Sequence, residues 1–316
     1  MHVIDAHCDT LYAMCKEKTR LQFTYDLVKS LNMPYLQFFA MYSPPSLLLQ
    51  EGGFDQSVKI HLQMLKLYEE MTKKYSYTEV LCKKDIIAFE KTDTDSCNTL
   101  FSLLSVEGVY LSKGELSYID YLYDNGVRCL SFTWNHSNEF AEGVNGNKGE
   151  GLTGSGKKAV KKCNNLGILI DVSHASDKTF YDIAELSKKP FVATHSNSRF
   201  VCAHRRNLDD EMLKTIAKSN GLAGINYFSD FLVEKEQNRE AGVDDIIRHI
   251  EHMASLTGTK HIGLGSDFDG VDKAALSDVS AVPEIINALL RLNYSEQAVK
   301  DICAGNMIRI LREVLK

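Results

Sequence analysis

Val3-Ile4-Asp5-Ala6-His7-Cys8-Asp9-Thr10 opens the chain with a short apolar run that ends in an imidazole and a carboxylate two positions apart. On an extended strand, residues i and i+2 point to the same side, so His7 and Asp9 face one way together. Side by side at a strand end, they make a ready pair of ligands for a divalent metal such as zinc. Taken alone, the triplet reads equally well as a surface turn. Its meaning depends on whether later strands deliver more ligands in the same way.

Short apolar runs recur at residues 36–42, 99–105, 127–132, 168–172, 191–194, 221–226 and 262–265. Amphipathic helical patterns separate most of them, over about 57–74, 115–123, 156–165, 176–188, 209–219 and 243–256. Asn125-Gly126 and Gly167 supply C-cap signals for two of these helices. Eight strands alternating with helices predict an α/β fold, a parallel sheet closed into a single (β/α)8 TIM-type barrel of metal-dependent hydrolase type. No repeat, low-complexity segment or linker divides it, so residues 1–316 read as one domain.

The runs share a feature at their C-terminal ends. The first ends in His7 and Asp9, the third leads to Glu107, the fifth to His174, the sixth to His195 and the eighth to Asp267. In an α/β barrel those ends converge on one face, where catalytic residues sit. Singly, each could cap a helix or bond a loop; together they describe one pocket. Three imidazoles with several carboxylates exceed a four-coordinate zinc site that keeps a position open for water, so two ions suit them better. Glu107 is the natural bridge, because a carboxylate has two oxygens and Glu107 lies between the His7 and Asp9 side and the His174 and His195 side. Two metals there can hold a shared hydroxide and polarise a carbonyl together.

Composition limits the alternatives. Among 316 residues, 44% are hydrophobic and 25% charged, the balance of a globular protein, and the net charge of -6 favours neither nucleic acid nor an anionic membrane as partner. No basic and apolar leader precedes the first strand, and residues 311–316 read as an amphipathic helix, so a cytoplasmic location without membrane attachment is expected. The cysteines at 8, 15, 82, 97, 129, 163, 202 and 303 form no C-x-x-C pair, and reduced thiols are expected.

Six motifs carry a resemblance. Asp5-Ala6-His7-Cys8-Asp9-Thr10, Ser105-Val106-Glu107-Gly108, Asp171-Val172-Ser173-His174, Ala193-Thr194-His195-Ser196, Cys202-Ala203-His204-Arg205-Arg206-Asn207 and Gly265-Ser266-Asp267-Phe268-Asp269-Gly270 occur in this order. The set resembles the membrane (renal) dipeptidase family of zinc peptidases, within the amidohydrolase superfamily. The resemblance implies a zinc-dependent dipeptidase with two zinc ions per chain. His7 and Asp9 would bind one ion, His174 and His195 the other, and Glu107 would bridge them. It also implies that His136, in Thr133-Trp134-Asn135-His136-Ser137, contacts the scissile carbonyl, that Arg206 holds the dipeptide's free carboxylate, and that Asp267 handles the proton. Relatives accept a D-residue at the C-terminal position, some open β-lactam rings, and many are homodimers.

Other signals are weaker. Residues 151–158 nearly fit a phosphate-binding P-loop, but Lys158 stands where a Mg²⁺-binding hydroxyl belongs and no buried strand precedes. His249 and His252 share a helix face with no third ligand in the pattern, so a solvated face is the better reading. Asn135-His136-Ser137 is a glycosylation sequon without force unless the chain is exported. A deaminase, lactonase or phosphotriesterase on the same barrel is the nearest rival; Glu107 as bridge with Arg206 as carboxylate anchor argues against it. A non-catalytic metal-binding barrel is the second rival, and the retention of Asp267 beside the whole ligand set argues against that.

Overall fold

The structure is a computed structural model that describes residues 1–48, 50–93 and 100–316. Thr99, the start of the third run, and Cys97 lie outside the described residues. Nine parallel strands appear among the described residues: β1 (Val3–Cys8), β2 (Tyr35–Tyr42), β3 (Thr78–Glu79), β4 (Leu100–Glu107), β5 (Val127–Ser131), β6 (Leu169–Asp171), β7 (Val192–Ala193), β8 (Leu222–Ile225) and β9 (Ile262–Leu264). Eight of them close on themselves. β1 pairs with β2 and β9, the ladder runs on through β8, β7, β6 and β5 to β4, and β4 returns to β2. The result is the (β/α)8 TIM barrel read from the run pattern.

Side-chain alternation sorts the strand residues into two apolar clusters, as a period of two requires. Ile4, Leu36, Phe101 and Leu169 join one with Met307 and Leu311 of the C-terminal helix Asn306–Val314. Val3, Tyr35, Phe39 and Leu104 join the other, with the helices outside the sheet. Phe39 shows the packing: its ring meets Phe23 at 5.3 Å and Tyr68 and Tyr77 at 6.0 Å.

The extra strand, β3, carries no signal in the sequence because two exposed residues cannot display a period. It forms because buried Val80 donates its N–H to the Ser102 carbonyl, which lays the preceding residues along Phe101 and Ser102. β6 and β7 are shorter than their runs for a different reason. The Thr194 N–H bonds the Asp171 carboxylate at 2.9 Å instead of continuing the ladder.

The loop after β5 is organised by one acid. Glu142 accepts the N–H groups of Lys148, Gly149, Glu150 and Gly151 and the Ser176 hydroxyl. A carboxylate of the chain itself thus occupies the amides that lead into the stretch resembling a P-loop, and the helix Gly154–Leu166 then starts from Thr153 as N-cap. The other described cysteines carry free thiols, and no described helix is long and apolar enough to cross a membrane.

His249 and His252 do not share a ligand. The His249 ring is fully buried, accepts the Ser198 N–H at Nδ1 (3.0 Å) and donates from Nε2 to the Leu232 carbonyl (3.1 Å). His252 instead pairs with Asp210 at 2.8 Å and stacks on Phe200. Burial lowers the His249 pKa from 6.5 to about 4. The unfolded chain therefore takes up a proton that the folded one resists, so this contribution to stability is complete above pH 6.5 and is lost as pH falls toward 4. His249→Gln removes that dependence. The urea midpoint of the wild type is expected to fall more between pH 7.5 and pH 5 than that of the variant, and parallel curves would contradict the assignment.

Candidate metal centre and active site

His7 lies near the end of β1 and Asp9 just beyond it, as N-cap of the helix Thr10–Cys15; Glu107 ends β4, and His174, His195 and Asp267 stand just beyond β6, β7 and β9. All six are buried. Parallel strands in a closed sheet share one C-terminal rim, so residues far apart in the chain meet there. The Glu107 Oε1 lies 2.6 Å from His174 Nε2, 3.5 Å from His195 Nε2 and 3.9 Å from His7 Nε2. The two Nε2 atoms of His174 and His195 stand 3.0 Å apart. His7 Nε2 is 3.5 Å from Asp9 and 3.8 Å from Asp267.

Three overlapping groups result, each with ligand atoms within 4.8 Å of one another: His7, Asp9 and Glu107; Glu107, His174 and His195; and His7, His195 and Asp267. Glu107, His7 and His195 each belong to two of them, and of these three only Glu107 has two carboxylate oxygens to share. Asp267 comes close enough to join the donors, a placement the sequence reading does not include.

The donor set fits divalent cations. Nitrogen and carboxylate oxygen are the usual protein ligands of zinc. His7 Nε2 and Asp9 Oδ1 are buried without a hydrogen-bond partner, which is costly unless something else binds them. Charge points the same way. Burial alone would lower the His7 pKa, but the carboxylates of Glu107, Asp9 and Asp267 outweigh it and raise the value to about 10. Burial, with Asp9 and Asp267 nearby, pushes Glu107 well above the carboxylate range against the pull of His7 and Arg206. Burial likewise holds His174 and His195 down as neutral imidazoles, reinforced by the charges of Arg206 and His7. The pocket is an electron-rich cage that draws in positive charge.

Further residues hold this cage. Asp5 accepts the Ser266 N–H (2.8 Å) and hydroxyl (2.6 Å), tying β1 to the segment that carries Asp267. Asn135 Oδ1 meets His174 Nδ1 at 2.8 Å. Asn226, just past β8, donates to Asp267 Oδ2 at 2.8 Å. The signal for Asn226 was its place at the end of an apolar run, matching the other strand-end residues, but an amide there suggests no ligand by itself. Asp269 accepts the Thr10 hydroxyl (2.6 Å) and the Gln22 N–H (2.6 Å), so it latches the segment after β1 to the same turn.

The pocket above the cage is an open cavity of about 650 Å³, walled by Tyr12, Tyr42, Trp134, Phe228 and Phe231. Arg206 enters it, whereas its neighbour Arg205 is exposed and bonds the Val144 carbonyl. The Arg206 guanidinium donates to the Ser173 carbonyl, lies 2.9 Å from His174 Nε2 and sits 5.5 Å over the Phe231 ring. His136 is the one expected site residue that does not reach the cage. Its side chain is exposed, its ring lies edge-on to Trp134 at 5.8 Å, and its carbonyl accepts the Tyr110 hydroxyl.

Gly270 shows how tightly the turn is built. A Cβ there would lie 2.1 Å from Asp9 Oδ2 and 3.0 Å from Asp267 Oδ1. Gly270→Ala is therefore expected to displace Asp9 while leaving the barrel folded, with bound metal, counted after dialysis, weakened by about tenfold or more.

Comparisons with known proteins agree with this geometry. Residues 1–316 match the sequence model of the membrane dipeptidases, peptidase family M19. One similar solved structure is a metallo peptidase from Rhodobacter sphaeroides, liganded with a phosphinate mimic of the dipeptide L-Ala-D-Ala; it has 26% identity, a TM-score of 0.87 and coverage of 99% of both chains. Another is the dipeptidase AC, a metallo peptidase of family M19, with 26% identity, a TM-score of 0.86 and coverage of 100% of this chain and 99% of that one. An uncharacterised protein from the pqqA 5' region of Klebsiella pneumoniae is 34% identical over 239 residues, covering 72% of this chain and 88% of the relative. The chain belongs to the membrane dipeptidase family, peptidase family M19, and is a metallo-dipeptidase on a (β/α)8 barrel.

Proposed function

We propose that the chain hydrolyses dipeptides with a free C-terminal carboxylate, L-D dipeptides among them, with two zinc ions. The observation that carries this reading is the convergence of two ligand groups on Glu107 beneath a pocket that also holds a buried arginine. His7 and Asp9 would hold one ion, His174 and His195 the other, with Glu107 between. Zinc bound there supplies Lewis acidity and a nucleophile effective near neutral pH.

The protein's own groups do the rest. Arg206 offers a planar fork that pairs with a carboxylate, and its burial strengthens that pairing. The aromatic walls shed water from the substrate side chains. Asp267 stands 3.8 Å from His7, held by Asn226, within reach of a proton released during attack on the carbonyl. Burial raises its pKa to about 6 against the opposing charge of His7, which suits a group that takes a proton and then delivers it to the leaving amine. The contact of His136 with the scissile carbonyl needs its ring to turn inward past Trp134. Acceptance of L-D dipeptides is supported by the ligand of the Rhodobacter sphaeroides relative.

The test is hydrolysis of a panel of L-L and L-D dipeptides by metal-stripped and zinc-reconstituted protein, with metal counted. Activity should return with close to two ions per chain, and C-terminally amidated dipeptides should not be cut. Asp267→Asn is expected to lower kcat by about 10²–10⁴ with metal retained. Arg206→Lys should mainly raise KM, by roughly ten- to a hundredfold for loss of a charge-assisted pair. Full activity with one ion, or equal cleavage of amidated substrates, would contradict the proposal.

A further inference from the structure

We propose that Asp171 is a positioning residue that sets the tautomer of His195 through the Thr194 hydroxyl, and so decides whether His195 Nε2 is free to bind metal. The inference rests on the reading of His195 as a ligand.

Asp171 ends β6, one strand away from His195, and touches no ligand ring. Its carboxylate is buried. Oδ1 accepts the Ser173 N–H (3.0 Å), the Ser173 hydroxyl (2.6 Å) and the Thr194 N–H (2.9 Å). Oδ2 accepts the Thr194 hydroxyl at 2.6 Å. A carboxylate accepts and a hydroxyl has one proton to give, so the Thr194 proton is committed to Asp171. Toward His195 Nδ1, 2.8 Å away, Thr194 Oγ1 can then only accept. The ring proton must sit on Nδ1, which leaves the Nε2 lone pair facing Glu107 and His174. The Ser173 hydroxyl, also held by Asp171, accepts the His195 N–H at 3.1 Å and fixes the backbone on the other side. Second-shell groups of this kind orient metal-bound imidazoles generally. Here the device is a carboxylate acting through an intervening hydroxyl across two strands.

Asp171→Asn tests it because the amide cannot reproduce the pattern. The two backbone N–H groups facing Oδ1 can only donate, so the amide oxygen must stay there. The amide nitrogen then faces Thr194 Oγ1 and donates to it. The hydroxyl turns round to donate to His195 Nδ1, and the ring proton moves to Nε2, where it blocks metal. In metal-free protein labelled with ¹⁵N-histidine, NMR is expected to show His195 protonated at Nδ1 in the wild type and at Nε2 in Asp171→Asn. Zinc titration against a competing chelator should show one of the ions weakened by about 10–100-fold. Thr194→Ser, which keeps the hydroxyl, should retain both the tautomer and the affinity, whereas Thr194→Val should lose affinity. That pair keeps the test decisive if Asp171→Asn does not fold. His195→Ala separates the two claims. If it binds zinc as the wild type does, the ligand reading fails and this inference with it. If it loses an ion while Asp171→Asn and Thr194→Val bind zinc normally, His195 is a ligand and the positioning role is overturned.

Discussion

The eight-residue ladder between β2 and β4 is the contact on which the rest of the molecule depends. It runs from Tyr35 against Leu100 to Tyr42 against Glu107 and closes an open sheet into a ring. Without closure, the C-terminal ends of β1, β4, β6, β7 and β9 would lie along an edge, and His7 and His195 could not approach. With it, the two rings stand 3.8 Å apart. The same ladder fixes Glu107 as the last residue of β4, so its carboxylate sits where the register of the longest pairing leaves it.

Closure concentrates charge. Asp9, Glu107 and Asp267 are buried together with a single arginine near them, an arrangement that costs free energy unless cations offset it. The protein meets the cost in two ways. Metal-binding capacity faces the pocket, while a second layer of acids faces away from it. Asp5 bonds Ser266, Asp171 bonds Ser173 and Thr194, and Asp269 bonds Thr10 and Gln22. Each of these carboxylates joins neighbouring segments of the rim, so hydrogen bonds between segments help to place the residues that face the pocket. The same turn holds two residues in the left-handed region: Asp267 and Asp269 have φ of +63° and +68°, a conformation that aspartate tolerates better than most residues.

Much of this was legible in the run pattern. Every barrel strand coincides with an apolar run, because a strand buried on both faces has few polar residues to interrupt it. The rim residues that the structure brings together were legible because each closely follows or ends such a run. What the pattern missed was of two kinds. β3 is too short to show a period. Asn226 and Asp171 occupy strand ends as plainly as Glu107 does, yet their partners, Asp267 and Thr194, lie one strand away. His136 is the converse case: its motif is present in the sequence, while the loop holds its side chain outward beside Trp134.

The sequence by itself determined the fold class, the number of barrel strands and which residue types stand at the rim, since burial and strand period act locally and leave their mark on consecutive residues. Only the tertiary structure decided which of those residues meet. Three matters fall on that side: the approach of Asp267 to His7 and His195, the hold of Asn226 on Asp267, and the path from Asp171 through Thr194 to His195. Each depends on the stagger between neighbouring strands in a closed ring. That stagger is a property of the whole sheet, and no single segment encodes it.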